Sequence, residues 1–169
     1  MRVCIEDKAG PKTNSLAHEA KQNLCEAEEF AGKIRAFVAA RTSPMVLIAR
    51  VEALIAGAGP EEALRRSYLY QDAGADCLIV HSRSTSPDEV IRFAQTWDGT
   101  IPIVLIPTTY ALHGIGVSGG GKVQMVIYAN QLMRAAVKVQ TNLLAKLRRD
   151  HDPSIYNDDL GLRPPEKVL

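Results

Sequence analysis

The residues of this chain that could do chemistry gather where short apolar runs end. Glu6-Asp7-Lys8 closes the first run, and Arg50 and Glu52 flank Val51 at the end of the second. His81-Ser82 ends the third, Pro107-Thr108 the fourth, and Tyr128 with Asn130 the fifth. An arginine inside an apolar run is costly to bury unless something needs its charge, so Arg50 reads as functional. The structural alternative for Arg50 is an ion pair with Glu52 or Asp76. His81 alone reads as a hydrogen-bonded core histidine, and its place beside Ser82 at a strand end adds weight to a ligand contact. Other candidates carry less. Gly119-Gly120-Gly121-Lys122 is glycine-rich, but Val123 follows the lysine and the phosphate-loop spacing is absent, so it reads as a flexible loop. Asp158-Asp159 could pair on a metal, yet it lies in a Pro- and Asp-rich tail and reads as a solvated turn. Cys4, Cys25 and Cys77 form no C-x-x-C and read as small apolar fillers.

The elements that must position these groups alternate. The five runs are Val3–Glu6, Val46–Val51, Cys77–His81, Ile103–Pro107 and Met125–Ala129. Their apolar residues are contiguous, as in strands covered on both faces of a parallel sheet. Helical spacing marks Ala27–Ala40, with Phe30, Ile34, Phe37 and Val38 on one face. A second helix opens at Pro60 with Glu61 and Glu62 and stops at Gly74. A third follows Ser86-Pro87-Asp88-Glu89 and ends by Gly99. The last spans Leu132–Leu147, its inner stripe being Leu132, Ala135, Ala136, Val139, Leu143 and Leu147, with basic residues in its final turn. Strand–helix alternation places the chain in the α/β class, with parallel strands and right-handed crossovers. In such folds the carboxyl ends of the strands carry the chemistry, which is where the polar clusters fall.

Composition removes several function classes. The 169 residues are 46% hydrophobic and 23% charged, with a formal net charge of +1, an ordinary globular balance with no bias toward nucleic acid or anionic membranes. No apolar run approaches the roughly 18 residues of a membrane span. No secretory leader is visible, and three scattered cysteines form no disulfide framework, so a cytoplasmic protein is expected. Residues 1–150 are expected to form one unit and 151–169 a polar tail. A closed barrel needs eight strands and about 250 residues, so five strands predict either a small open sheet or the C-terminal part of something larger, and the second is favoured.

Cys4-Ile5-Glu6-Asp7-Lys8-Ala9-Gly10-Pro11-Lys12-Thr13-Asn14-Ser15 is the most informative stretch. Its E-D-K-x-x-P-K-x-N-S pattern resembles the strand-end and lid loop of the phosphoenolpyruvate phosphomutase branch of the isocitrate lyase/phosphoenolpyruvate mutase superfamily. The likeness continues through Glu28-Glu29-Phe30-Ala31, Ala49-Arg50-Val51-Glu52-Ala53, Ala73-Gly74-Ala75-Asp76, Val80-His81-Ser82, Ile106-Pro107-Thr108 and Met125-Val126-Ile127-Tyr128-Ala129-Asn130. It covers about residues 2 to 145. The K-K-C-G-H loop of isocitrate-lyase-type members is absent.

The resemblance implies a partial (β/α)8 TIM-type barrel that begins at the counterpart of the fourth strand and lacks the first three β/α units. It implies a magnesium-dependent enzyme that interconverts phosphoenolpyruvate and phosphonopyruvate, the carbon–phosphorus bond-forming step of phosphonate biosynthesis. Phosphoryl transfer is catalysed mainly by positioning and by cationic and hydrogen-bonding stabilisation, which these residue types suit. On this resemblance, Arg50 and His81 bind the substrate's anionic groups, and Lys12, Asn14 and Ser15 are catalytic residues on a mobile lid. Glu6 stands in the outer shell of the Mg2+, acting through bound water. The metal's main aspartate ligands are not expected in this chain. Asn14 tilts the reading toward mutase over phosphonopyruvate hydrolase. The alternatives are a hydrolase or carbon–carbon lyase of the same superfamily, and a non-catalytic partner subunit. A homo-oligomer, dimer or tetramer, or a complementing chain is expected to cover the last helix. Gln131 departs from the histidine common after Ala-Asn in the family, and the loop 112–124 is unusually rich in glycine.

Overall fold

A computed structural model describes residues 1–11, 14–15, 22–110 and 121–151. It divides into two compact units, Met1–Ala129 and Asn130–Leu169. The first holds β1 (Arg2–Glu6), α1 (Ala27–Ala40), β2 (Val46–Val51), α2 (Pro60–Asp72), β3 (Cys77–Val80), α3 (Asp88–Thr96), β4 (Ile103–Leu105) and β5 (Val123–Val126). The described part of the second is α4 (Gln131–Asp150) and its cap.

All five strands are parallel and lie in the order β1-β2-β3-β4-β5. A doubly wound sheet reverses its strand order at a switch point. This one never does, so successive crossovers step the same way around the sheet. Burial agrees. Leu47, Ala49 and Val51 of β2 and Leu78 and Val80 of β3 pack in one core with Phe30 and Ile34 of α1, Tyr70 of α2 and Phe93 of α3. The intervening Ile48, Ile79 and Val104, with Cys77 and Ile106, form a second cluster that contains no helix residue. Helices on one face and strand side chains alone on the other is the arrangement of a barrel wall. It also explains why β2 to β4 read as unbroken apolar runs while the edge strands β1 and β5 are only partly buried.

The element signals hold except at the end of α3 and the start of β5. Pro60 follows an N-cap glycine, Gly59, at φ 90°, and Gly74 at φ 102° stops the chain after α2, a conformation favouring glycine. Gly99 does not end α3, which stops at Thr96; a Cβ there would run into the Trp97 ring, so the position is set by close approach. The fifth strand begins two residues earlier than expected. Ile103 pairs with Val123 and Val104 with Met125, a register shift that steps past Gln124. Ile127 still donates its N–H to the Leu105 carbonyl at 2.8 Å beyond the strand.

Helix α4 has no buried residue, and Leu132, Met133, Val137 and Leu144 are exposed. No described helix is long and apolar enough to cross a membrane.

Candidate functional site

Strand register alone collects the polar groups. Glu6 of β1 is paired with Arg50 of β2, and Arg50 with Ile79 of β3. Side chains alternate along each strand, so Glu6, Arg50, Glu52, Ile79 and His81 all project from the helix-free face at its carboxyl end.

Glu52 is the hub. It is 1% exposed, accepts Arg50 Nε at 2.5 Å on one carboxylate oxygen and accepts the Ser15 hydroxyl at 2.7 Å on the other. The Ser15 hydroxyl in turn receives Arg50 Nη2 at 3.1 Å and the Lys8 ammonium at 3.4 Å. Glu6 lies 3.7 Å from Arg50 Nε. Arg50 is therefore the ion-pair partner of Glu52, while Asp76 pairs with Arg41 at 2.7 Å. The structural and functional readings of Arg50 are compatible, because the carboxylate fixes the guanidinium plane and leaves the side chain 19% exposed at the strand mouth.

His81 is 3% exposed, and its Nδ1 has no hydrogen-bond partner among the described residues. Burial, reinforced by the Arg50 charge and opposed by Glu52, lowers its pKa to about 4, so the imidazole is neutral near pH 7. Ser82 faces the other way. It is buried, its hydroxyl donates to Glu89 and accepts the Ser84 N–H at 3.0 Å, and its carbonyl accepts the Thr109 hydroxyl at 3.2 Å. Ser82 anchors the loop into α3 and does not join the cluster.

Beneath the cluster lies Asp7, fully buried. One carboxylate oxygen accepts the Glu52 backbone N–H at 2.8 Å; the other accepts the Tyr70 hydroxyl at 2.7 Å and Arg66 Nη1 at 3.0 Å. Burial pushes the Asp7 carboxyl above the ordinary range, against the pull of these donors, and pushes the Tyr70 phenol up as well.

Of the residues expected from sequence, the structure brings Glu6, Ser15 and Arg50 together, with His81 close enough to feel the Arg50 charge. Asn14 precedes Ser15 and is exposed; its backbone carbonyl accepts Gln22 Nε2 at 3.1 Å. Lys12, Gly119, Gly120 and the Asp158-Asp159 pair lie outside the described residues. The sequence placed Lys8 and Glu52 among the strand-end polar residues, Glu52 as a possible ion-pair partner of Arg50, but assigned neither a site role, and it gave no sign of Arg66. The spacing Arg-x-Glu at a strand end was a usable signal for Glu52, since alternate residues share a face.

The groups that can meet an anion are the braced Arg50 guanidinium, the Lys8 ammonium and the uncharged His81 imidazole, while the Ser15 hydroxyl already gives its hydrogen to Glu52. The described residues offer no inner-shell site for a divalent cation. No group of three or more His, Cys, Asp or Glu among the described residues could hold one. Asp7 and Glu52 spend their oxygens on internal donors, and Glu6 already faces Arg50.

Comparisons with known proteins bear on the family and the fold. The family model of phosphoenolpyruvate phosphomutase matches residues 1–148. A phosphonopyruvate hydrolase of Variovorax sp. (strain Pal2) is 47% identical over 150 residues, covering 88% of this chain and 52% of the relative. A phosphoenolpyruvate phosphomutase of Streptomyces hygroscopicus is 40% identical over 168 residues, covering 99% of this chain and 53% of the relative. The crystal structure of a phosphonopyruvate hydrolase with oxalate and Mg2+ superposes with a TM-score of 0.84 at 42% identity, covering 99% of this chain and 56% of that one. The chain thus spans about half the length of these relatives, and its fold is part of a TIM-type barrel.

Proposed function

The chain belongs to the phosphoenolpyruvate phosphomutase family, and from that premise we propose that it supplies the Arg50 side of a site interconverting phosphoenolpyruvate and phosphonopyruvate. The observation that carries this reading is the bracing of Arg50. With Nε taken by buried Glu52 at 2.5 Å, the guanidinium presents its remaining edge in a fixed plane at the strand mouth. A planar fork of that kind matches phosphonate and carboxylate oxygens. In this reading Arg50 and His81 hold the anionic groups, with His81 neutral so that it neither repels Arg50 nor carries a proton into the reaction. Lys12, Asn14 and Ser15, which follow β1 in sequence, are assigned the catalytic contacts. The described residues form no inner shell for magnesium, and Glu6 is assigned only an outer position, oriented by Arg50. Asn14 favours isomerisation. The 47% identity to a hydrolase is the observation on the other side.

Incubating the full chain with phosphonopyruvate and Mg2+, followed by phosphorus NMR, separates the outcomes. Phosphoenolpyruvate without free phosphate establishes the mutase. Phosphate with pyruvate establishes the hydrolase, in which water cleaves the carbon–phosphorus bond. Neither product, together with an unchanged melting temperature on adding phosphonopyruvate, overturns the site and leaves a non-catalytic subunit, since a ligand of the native state must stabilise it. Helix α4, without a buried residue, is proposed as the element through which copies assemble as a dimer or tetramer; light scattering after gel filtration tests this. Three free cysteines accord with a reducing, cytoplasmic setting.

A further inference from the structure

Arg66 lies on α2, outside every motif that carries the family likeness, yet it is 6% exposed and hydrogen-bonded through Nε and Nη1. Its Nε donates to Glu62 at 2.6 Å. Its Nη1 reaches Asp7 Oδ2 at 3.0 Å, the Cys25 carbonyl at 3.0 Å and the Tyr70 hydroxyl at 3.1 Å. Asp7 and Cys25 are the two ends of the segment that carries Asn14 and Ser15. Those ends are tied together: Cys25 N–H donates to the Asp7 carbonyl at 3.0 Å, Ala9 N–H to the Asn23 carbonyl at 2.8 Å, and Lys8 bridges Leu24 in antiparallel register. Asp7 also spans to β2, donating its N–H to the Arg50 carbonyl at 3.2 Å and accepting the Glu52 N–H.

One guanidinium thus holds the stem of the Ser15 segment and, through Asp7, the backbone on both sides of Val51: the carboxylate takes the Glu52 N–H and the Asp7 N–H meets the Arg50 carbonyl. We propose that Arg66 is a positioning residue: it pins the stem where residues 7–9 meet 23–25 and keeps Ser15 in register with Arg50 and Glu52. A buried charge pair can be replaced by apolar groups without loss of stability, so stability alone does not account for it. What an apolar pair could not reproduce is the simultaneous hold on Asp7 and on the Cys25 carbonyl. A lysine could meet both only from an unbraced ammonium, because the Nε bond to Glu62 that fixes the guanidinium while Nη1 makes these two contacts would be lost. The inference rests on the proposed function only for what Ser15 and Arg50 do, not for how they are held.

Native-state hydrogen exchange on the full chain tests it, comparing wild type, Arg66→Met, the double variant Asp7→Asn/Arg66→Met and the core control Ile34→Val. The double variant leaves no lone buried charge and carries the test if the single variant does not fold. The clamp predicts that the Ala9 and Cys25 amides exchange about tenfold faster or more, while the Leu78 and Ile127 amides change no more than in the control. A uniform rise across all four amides, or stem amides that stay at the wild-type rate, overturns it. A parallel titration with phosphonopyruvate is expected to show about tenfold weaker binding by the Arg66 variants. Absence of binding by wild type would overturn the proposed function instead, and the exchange pattern would still decide the clamp.

Discussion

Glu52 closes on Arg50 at 2.5 Å although only Val51 separates them in sequence, and the contact forms on the helix-free face where the strands end. A carboxylate with 1% exposure and a guanidinium with 19% exposure make an asymmetric pair, in which the buried partner aims the exposed one. Ser15 joins them by donating to the first and accepting from the second.

Glu52→Gln should therefore cost more than an ordinary polar swap. The charge-assisted bond from Arg50 is lost, and the new amide group sets a donor against donors. A destabilisation of about 2 kcal/mol is expected, read as a shift of the urea midpoint at constant slope. Phosphonopyruvate binding should weaken at the same time.

Ser15→Ala should separate holding from folding. The hydroxyl is at a partly buried position and its removal leaves Arg50 and Glu52 still paired, so stability should change by less than about 1.5 kcal/mol. Calorimetric titration should show a larger effect on phosphonopyruvate affinity than denaturation shows on stability. Equal effects would mean that Ser15 is a structural tie only.

The His81 imidazole makes stability fall in acid. Unfolded, it takes up a proton near pH 6.5; folded, it does so only near pH 4. Between those values the unfolded state binds more protons, so stability is full above about pH 6.5 and drains away as pH falls toward 4, by about 3 kcal/mol in all. His81→Gln should flatten this limb in urea melts from pH 4 to 7, whatever the carboxylates contribute to both proteins. Parallel curves for the two would show that His81 titrates normally.

Gly99→Ala probes packing remote from the strand ends. The added methyl overlaps the six-membered ring of Trp97, which is 2% exposed and cannot swing out freely. A loss of about 1–3 kcal/mol follows from overpacking, visible as a lowered melting temperature and altered tryptophan fluorescence. Glycine at this site has an ordinary φ, so an unchanged melting temperature would mean the ring has room to move.

Much of this was legible in the chain itself. Contiguous apolar runs gave β2 to β4, because strands in a barrel wall are buried on both sides, and Pro60 and Gly74 marked α2. The Glu6-to-Ser15 stretch, Arg50 and His81 pointed to the strand mouth. Other features needed coordinates. Arg66 stands four residues after Glu62, a spacing typical of exposed helical ion pairs, and nothing local reveals that Asp7, 59 residues away, buries it. The start of β5 depended on a register shift against Ile103, a non-local choice that hydrophobic pattern does not encode.

The shared orientation of Glu6, Arg50, Glu52 and His81 also limits how this chain can drift. Insert one residue in β2 ahead of Arg50 and its guanidinium rotates into the oily layer between sheet and helices, with Glu52 following it. Insert two and the row faces the helix-free side again. Length changes in that strand are tolerable only in even steps, so relatives that keep the arginine must also keep its parity.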